Sequence, residues 1–412
     1  MLDIRLIRSE PERVRAELAR RGDVAADAID RVLELDQRRR SLNTELGDLR
    51  AEQNALSKNR RGAPSEAERA QLAQLAARGR ALTDAEAGAR TELEALMATL
   101  PNLPLPDTPP ADTVLREVGT AGRAGLDHLA LAGAMIDMER GAALSGSRFA
   151  YLRGDLVLLE LAMVRYAIAK LSTEGFEPVI PPVLVRERAL YGTGMWPDTE
   201  QQIYRLPEDE LYLVGTSEVA LASLHRDEIL ACEQLPLRYA GLSSCFRREA
   251  GAAGKDTRGI FRVHQFDKLE MFAFVAPDES TDEHERILAI EESILSDFEI
   301  PYRVVAIAVD DLGSSAAKKY DCEAWMPGQE RYREVTSCSN TTDFQARRLD
   351  IRLRPGDGGR PQHLHTLNGT AVTWRHMIAL LENGQRDDGS VALPPALVAV
   401  GAPAVLRAPE PA

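Results

Sequence analysis

Residues 246–270 hold side chains whose types and spacing suit a phosphorylated ligand. Ser243-Ser244-Cys245-Phe246-Arg247-Arg248-Glu249 reads as an outgoing strand. Residues 250–259 form a polar, glycine-rich loop with Lys255 and Arg258, and Phe261-Arg262-Val263-His264-Gln265-Phe266 returns toward Glu270-Met271-Phe272. Two such runs around a loop make a β-hairpin. A hairpin of this kind can hold one arginine fixed against a phosphate while the loop closes over the ligand. Taken singly, an Arg or Glu on a strand more often ends in an exposed ion pair that contributes little.

Cysteine usage points away from a metal centre. Cys232, Cys245, Cys322 and Cys338 are scattered without a C-x-x-C pair, so neither a disulfide framework nor zinc is expected, and the four read as reduced thiols. At 412 residues the chain has room for two or three domains, and 44% hydrophobic with 28% charged residues is a globular mix. The net charge of −14 argues against wholesale wrapping by nucleic acid but is compatible with a local basic patch. No apolar run reaches the ~18 residues of a membrane span. The opening MLDIRLIRSEPERVR alternates charge with apolar residues and offers no signal-peptide core. The protein reads as cytoplasmic.

The elements that must position the hairpin fall into two parts. Over the proline-free residues 28–60, leucines recur every seventh residue at Leu35, Leu42, Leu49 and Leu56, with Val32, Arg39, Leu46 and Gln53 as a second seam. After Arg61-Gly62-Ala63-Pro64 the period resumes at Leu75, Leu82, Ala89 and Leu96, accompanied by Leu72, Gly79, Glu86 and Leu93. The spacing predicts an antiparallel coiled-coil hairpin over residues 28–98. Gly79 weakens its second helix by about 1 kcal/mol against Ala. A short helix precedes it, with Ser9 as N-cap, Pro11 in the first turn and Glu12 completing a capping box, broken at Gly22. At 1.5 Å per residue the arm runs roughly 50 Å and should project.

Charge on that arm is distinctive. Between Gln37 and Arg61 seven basic residues stand against three acidic ones, a local +4. A charge run is usually a solvated helix face; on a projecting arm it can also meet a phosphate backbone. Prolines at 101, 104, 106, 109 and 110 end the arm. Residues 1–105 therefore form an N-terminal helical domain, and residues 106–412, with mixed helix and strand, the body. The fold class is α+β.

Phe246-Arg247-x-Glu249, Gly254-Lys-Asp-Thr-Arg-Gly259 and Arg262-Val-His-Gln-Phe266-x-Lys-x-Glu270 together resemble the second signature motif of class II aminoacyl-tRNA synthetases, in the form carried by the seryl-tRNA synthetases. Other segments follow in that family's order. Gly146-Ser-Arg-Phe149 and the run to Pro182 resemble its first, dimer-forming motif. Gly215-Thr216-Ser217-Glu218-Val219 resembles its serine-site loop. Arg333-Glu334-Val335-Thr336-Ser337-Cys338-Ser339-Asn340, with Asp343-Phe-Gln-Ala-Arg-Arg348, resembles its metal- and phosphate-binding strand. Leu367-Asn368-Gly369-Thr370 through Arg375 to Glu382-Asn383 resembles the third motif. One Arg-x-Glu would say nothing; this set in this order is specific, and the likeness spans the chain. It departs at Ala371-Val372-Thr373-Trp374, where the family is commonly glycine-rich. There Trp374 and His376 are expected to narrow the ATP end.

The resemblance implies a class II catalytic domain, an antiparallel sheet flanked by helices, behind a tRNA-binding arm. It implies ATP as substrate with Mg²⁺. Arg247, Arg375 and Glu334 are the catalytic residues. Arg247, Arg248, Glu249, Arg262, Val263, Phe266, Glu334, Val335, Thr336, Ser337 and Arg375 bind ATP, with Phe266 and Arg375 on opposite faces of the adenine. Glu334 and Ser337 offer hard oxygens to Mg²⁺. Thr216, Ser217, Glu218, Arg247, Glu270, Asn368 and Thr370 form the serine site. Arg38, Arg39, Arg40, Lys58, Arg60 and Arg61 are the arm residues expected to meet tRNA.

The implied partners are L-serine, tRNA(Ser) (with tRNA(Sec) where present) and a second copy in a homodimer. Only 37 residues follow Arg375, too few for a C-terminal anticodon-binding domain. The alternatives are a specialised second copy, a relative that loads a carrier protein, and a non-catalytic paralogue.

Overall fold

A computed structural model of the chain describes residues 1–22, 26–58, 65–197, 200–250, 256, 258–356 and 358–408. The turn at 61–64 lies outside the described residues, with Arg60, Arg61 and positions 251–255 of the hairpin loop. The chain divides into two compact units, Leu2–Pro101 and Asn102–Ala412, the latter joined by Met1.

The helical unit opens with α1 (Ile4–Ser9) and α2 (Pro11–Ala19) rather than one helix capped by Ser9. Asp3 takes the capping role, its carboxylate accepting the Arg5 N–H at 2.8 Å. Ser9 is the last residue of α1 and donates its hydroxyl back to the Arg5 carbonyl at 3.0 Å. Pro11 explains the break, because the residue before a proline is pushed out of helical geometry and Glu10 sits at φ −136°.

The long helices α3 (Ala26–Lys58) and α4 (Glu66–Thr99) follow. A capping box between Ser65 and Glu68 starts α4. Arg31 pairs with Glu92, and the Asn43 amide donates to Glu86 at 3.4 Å, so the two run antiparallel. Val32, Leu35, Leu46 and Leu49 are buried against Leu75, Ala89 and Leu93. Gly79 has a packing role: a Cβ there would stand 3.3 Å from Leu49 Cδ2, so its absence admits the leucine. The seam's polar Arg39 is met by an acid that stands outside both seams. Asp36 is fully buried and draws Arg40 to 2.9 Å, Arg8 to 3.4 Å and Arg39 to 3.7 Å.

The second unit is built on one eight-stranded sheet. In chain order its strands are β1 (Thr113–Val118), β2 (Glu177–Val179), β3 (Leu237–Phe246), β4 (Gln265–Val275), β5 (Tyr302–Ala306), β6 (Lys318–Met326), β7 (Arg331–Asn340) and β8 (His365–Thr373). They lie in the order β1-β5-β6-β7-β8-β4-β3-β2, antiparallel throughout except β2 on β3. The helices that matter here are α5 (Asp155–Thr173), α6 (Glu218–Ala222), α7 (Ser280–Asp297), α8 (Phe344–Leu349) and α9 (Trp374–Asn383).

Central β4 is buried on both faces, which its period of two makes legible. Leu269, Met271 and Ala273 share a core with residues of α5, α7 and α9. Phe272 and Phe274 point the other way, to Leu221 of α6 and Leu349 of α8.

Besides one at Leu115 of edge strand β1, bulges interrupt the ladders of β7 and β8. Cys322 opposes Thr336 but Glu323 opposes Glu334, leaving Val335 as an extra residue in β7. Leu269 opposes Val372 but Glu270 opposes Thr370, leaving Ala371 extra in β8.

Candidate active site

Those bulges decide which side chains meet. On a regular strand residues three apart face opposite sides. The extra Val335 brings Glu334 and Ser337 to one side, and the extra Ala371 does the same for Thr370 and Thr373. All four line a single cavity together with Phe266, Lys268 and Glu270, which alternate along β4.

The hairpin supplies the first wall. At the end of β3 the Arg247 N–H donates to the His264 carbonyl at 2.9 Å, joining the two strands past their regular ladder. Its guanidinium donates to the Gly215 carbonyl at 3.2 Å and lies 5.2 Å from the Phe266 ring centre. Glu249, in the left-handed region at φ 52°, pairs with Arg262. Arg262 also lies 3.7 Å from Asp256, which Arg333 holds at 2.8 Å. Both arginines keep the Asp256 carboxyl below its ordinary range, Arg333 chiefly by hydrogen bonding. Val263 lines the same wall.

The opposite wall comes from β7 and the start of α9. Arg375 reaches both the Glu334 carboxylate and the Glu334 carbonyl at 3.1 Å. Burial pushes Glu334 up, but Arg375, Lys319 and Arg247 outweigh it and hold the carboxyl below its ordinary value. Arg375 and Phe266 line the same cavity. The Arg375 guanidinium lies 4.6 Å from the ring of Phe261, which Arg333 also covers at 3.8 Å.

A polar corner closes the far end. The Thr216 hydroxyl donates to Glu270 at 3.2 Å, and the Glu218 N–H donates to Thr216 Oγ1 at 3.2 Å. Asn368 and Gln345 donate amide N–H groups to Glu218 Oε1 at 3.0 and 2.8 Å. Burial first, and the charge of Glu270 second, raise Glu218 to about 7. Lys268, almost buried, contacts Glu270 directly. Two carboxyls face one lysine here, so a ligand with an ammonium group would balance the corner.

Three expected residues do not line the cavity. Thr336 faces the back of the sheet because the bulge turns it there, and its hydroxyl donates to Glu291 at 2.7 Å. Ser217 is fully buried and bonds the Gly241 carbonyl at 3.0 Å. Arg248 lies just past the end of β3, where its N–H donates to the Gln202 carbonyl at 2.9 Å.

His376 is likewise turned from the ATP end. It is buried, accepts the Thr373 N–H at 3.1 Å, and burial drives it down to about 3. Trp374 does line the cavity, with its indole N–H donated to Glu160 of α5 at 2.6 Å.

Lys268, Phe261 and Gln345 were not singled out from the sequence. Stepping by two from Glu270 through Lys268 to Phe266 would have found the lysine. Phe261 carries no such signal because its segment is irregular.

On the arm, Arg38 and Lys58 are exposed. Arg39 is half-buried, and it and Arg40 are drawn to Asp36. Arg60 and Arg61 lie outside the described residues.

The model of the seryl-tRNA synthetase N-terminal domain matches residues 1–104, and that of the class II tRNA synthetase core domain (G, H, P, S and T) matches residues 202–384. The serine--tRNA ligase of Nocardia farcinica is 49% identical, covering 99% of this chain and 100% of its own. That of Thermobifida fusca is 48% identical, covering 96% of each. Among solved structures, the seryl-tRNA synthetase from Pyrococcus horikoshii complexed with ATP superposes with a TM-score of 0.93 at 39% identity over the full length of both chains. With hairpin, bulged strands and polar corner in place, these likenesses show that the chain belongs to the seryl-tRNA synthetase family.

Proposed function

We propose that this cavity activates L-serine with ATP, giving seryl-adenylate and pyrophosphate, and that the serine then passes to the 3′ end of tRNA(Ser). The observation that supports this best is the polar corner, where Glu218 and Glu270 stand on one side of Arg247 and the phosphate-facing arginines on the other. The serine ammonium balances Glu218, and the hydroxyl bonds Glu270 and Thr370. An analogue without the hydroxyl leaves those groups unpaired, which penalises it strongly.

Arg247 meets both the serine carboxylate and the α-phosphate, offsetting the repulsion between nucleophile and electrophile. The carboxylate is ionised already, so no general base is needed, and the rate rests on in-line positioning and charge stabilisation. Glu249 takes the adenine amino group, Phe266 offers its ring to the base, and Arg262 and Arg375 turn from Glu249 and Glu334 to the phosphates.

Glu334 and Ser337 fit Mg²⁺, since both are oxygen donors brought to one face by the bulge at Val335. When bound there, the ion screens phosphate charge.

The helical unit is read as the tRNA grip, through Arg38 and Lys58 with Arg60 and Arg61. A second copy covers the exposed apolar residues Val157, Leu158 and Leu161 of α5 with Ile180 and Leu184, whose burial there would be favourable. The enzyme is then a cytoplasmic homodimer.

Serine-dependent exchange of pyrophosphate into ATP tests the core of this reading. Exchange with serine is expected; exchange with another amino acid instead, or none, overturns it.

A further inference from the structure

The cavity opens where β7 and β8 part. Their ladder joins Asn340 to Leu367, Ser339 to Asn368 and Cys338 to Gly369, and stops there. Beyond it lie the two bulges, so neither strand can hold the other in register where Glu334, Ser337, Glu270 and Thr370 must converge.

One side chain spans that fork. Glu291 of α7 is fully buried and comes from the face of the sheet opposite the cavity. Its Oε1 accepts the Thr370 N–H at 2.9 Å, and its Oε2 accepts the Thr336 hydroxyl at 2.7 Å. Thr370 borders the extra residue of β8, and Thr336 borders that of β7. Gly369 leaves the room: a Cβ there would lie 2.9 Å from Glu291 Oε1.

We propose that Glu291 is a positioning residue for serine activation, a clamp that pins both bulged strands and so fixes the metal-facing pair, Glu334 and Ser337, relative to the serine-facing pair, Glu270 and Thr370. The proposal rests on the serine-activating reading above. Its geometry asks for an acceptor toward Thr370 and a polar partner for Thr336, not for a charge. Burial, only partly offset by the two hydrogen bonds, raises the Glu291 carboxyl well above its ordinary range. A neutral amide should therefore serve. Gln can accept the Thr370 N–H and donate to the Thr336 hydroxyl, which reverses its role.

Serine-dependent pyrophosphate exchange is measured for wild type, Glu291→Gln, Glu291→Ala and Thr336→Val, varying serine and Mg²⁺, with thermal midpoints recorded alongside. Glu291→Gln is expected within about threefold of wild type, and Glu291→Ala to lose on the order of 100-fold in kcat/KM for serine while needing more Mg²⁺, the scale of a misplaced constellation. Thr336→Val, which keeps the side-chain shape, should lose about tenfold by releasing one of the two strands. A folded Glu291→Ala with wild-type constants overturns the clamp. So does a folded Glu291→Gln as impaired as the alanine variant. If Glu291→Ala does not fold, wild-type kinetics in Thr336→Val overturn it instead. Absence of serine-dependent exchange in the wild type would break the parent reading, not the role of Glu291.

Discussion

Asp36 in the helical unit and Glu218 in the catalytic unit are both buried carboxyls, yet they have opposite surroundings. Asp36 is met by Arg8, Arg39 and Arg40, a cluster that balances its own charge. Glu218 is hydrogen-bonded by the amides of Gln345 and Asn368, and burial first, with the charge of Glu270 second, raises its pKa to about 7 despite the nearby charges of Lys268 and Arg247. A buried carboxyl with its counterions in place is part of a scaffold. One held by neutral donors beside another acid is waiting for a cation. The contrast separates structure from function within a single chain.

Breaking each side of that contrast should have a distinct signature. The largest effect is expected for Arg247→Ala, which removes the cation proposed above to be shared by both substrates. Exchange activity should fall about 1,000-fold, the scale of losing one preorganised charge donor, with little change in thermal midpoint. Asp36→Ala should do the reverse, costing the helical unit about 2 kcal/mol by leaving arginines without their buried acceptor, while exchange stays at the wild-type rate. Equal damage to exchange would mean that the two units are not energetically separate.

The pH dependence of serine binding sharpens the same point. Glu218 has a raised pKa, so between about 4.5 and about 7 the empty folded protein keeps a proton that the unfolded chain has released. Stability of the empty enzyme therefore falls as pH rises through that window and is level above it. Serine, whose ammonium needs the ionised form, should bind more tightly as pH rises toward about 7. Isothermal titration across the range should show this, and Glu218→Gln should abolish the dependence. The smallest effect is expected for Gly79→Ala: about 1 kcal/mol gained in helix propensity, offset by crowding of Leu49. Its thermal midpoint should move by only a few degrees.

Much of this architecture was legible because it is periodic. Heptads marked α3 and α4, and strand–loop–strand punctuation marked the hairpin that holds Arg247 and Glu249. What periodicity hides is its own interruption. Nothing in Glu334-Val335-Thr336-Ser337 announces an extra residue, so Thr336 was expected beside ATP and is instead on the back of the strand, bonded to Glu291. Asp36 was missed for a related reason: it stands outside both seams, so a heptad reading leaves it in water, yet it is buried and recruits arginines from two helices. Ser9 failed as a cap because α1 runs through it, so its hydroxyl turns back to the Arg5 carbonyl, and α2 begins only after Glu10.

The paired arginines of the cavity have a thermodynamic consequence. Arg262 rests on Glu249, Arg375 on Glu334 and Arg333 on Asp256. An incoming nucleotide therefore trades places with anions that belong to the protein, instead of shedding ions into the solvent. Its affinity should respond to added salt more gently than a row of bare guanidinium groups would dictate.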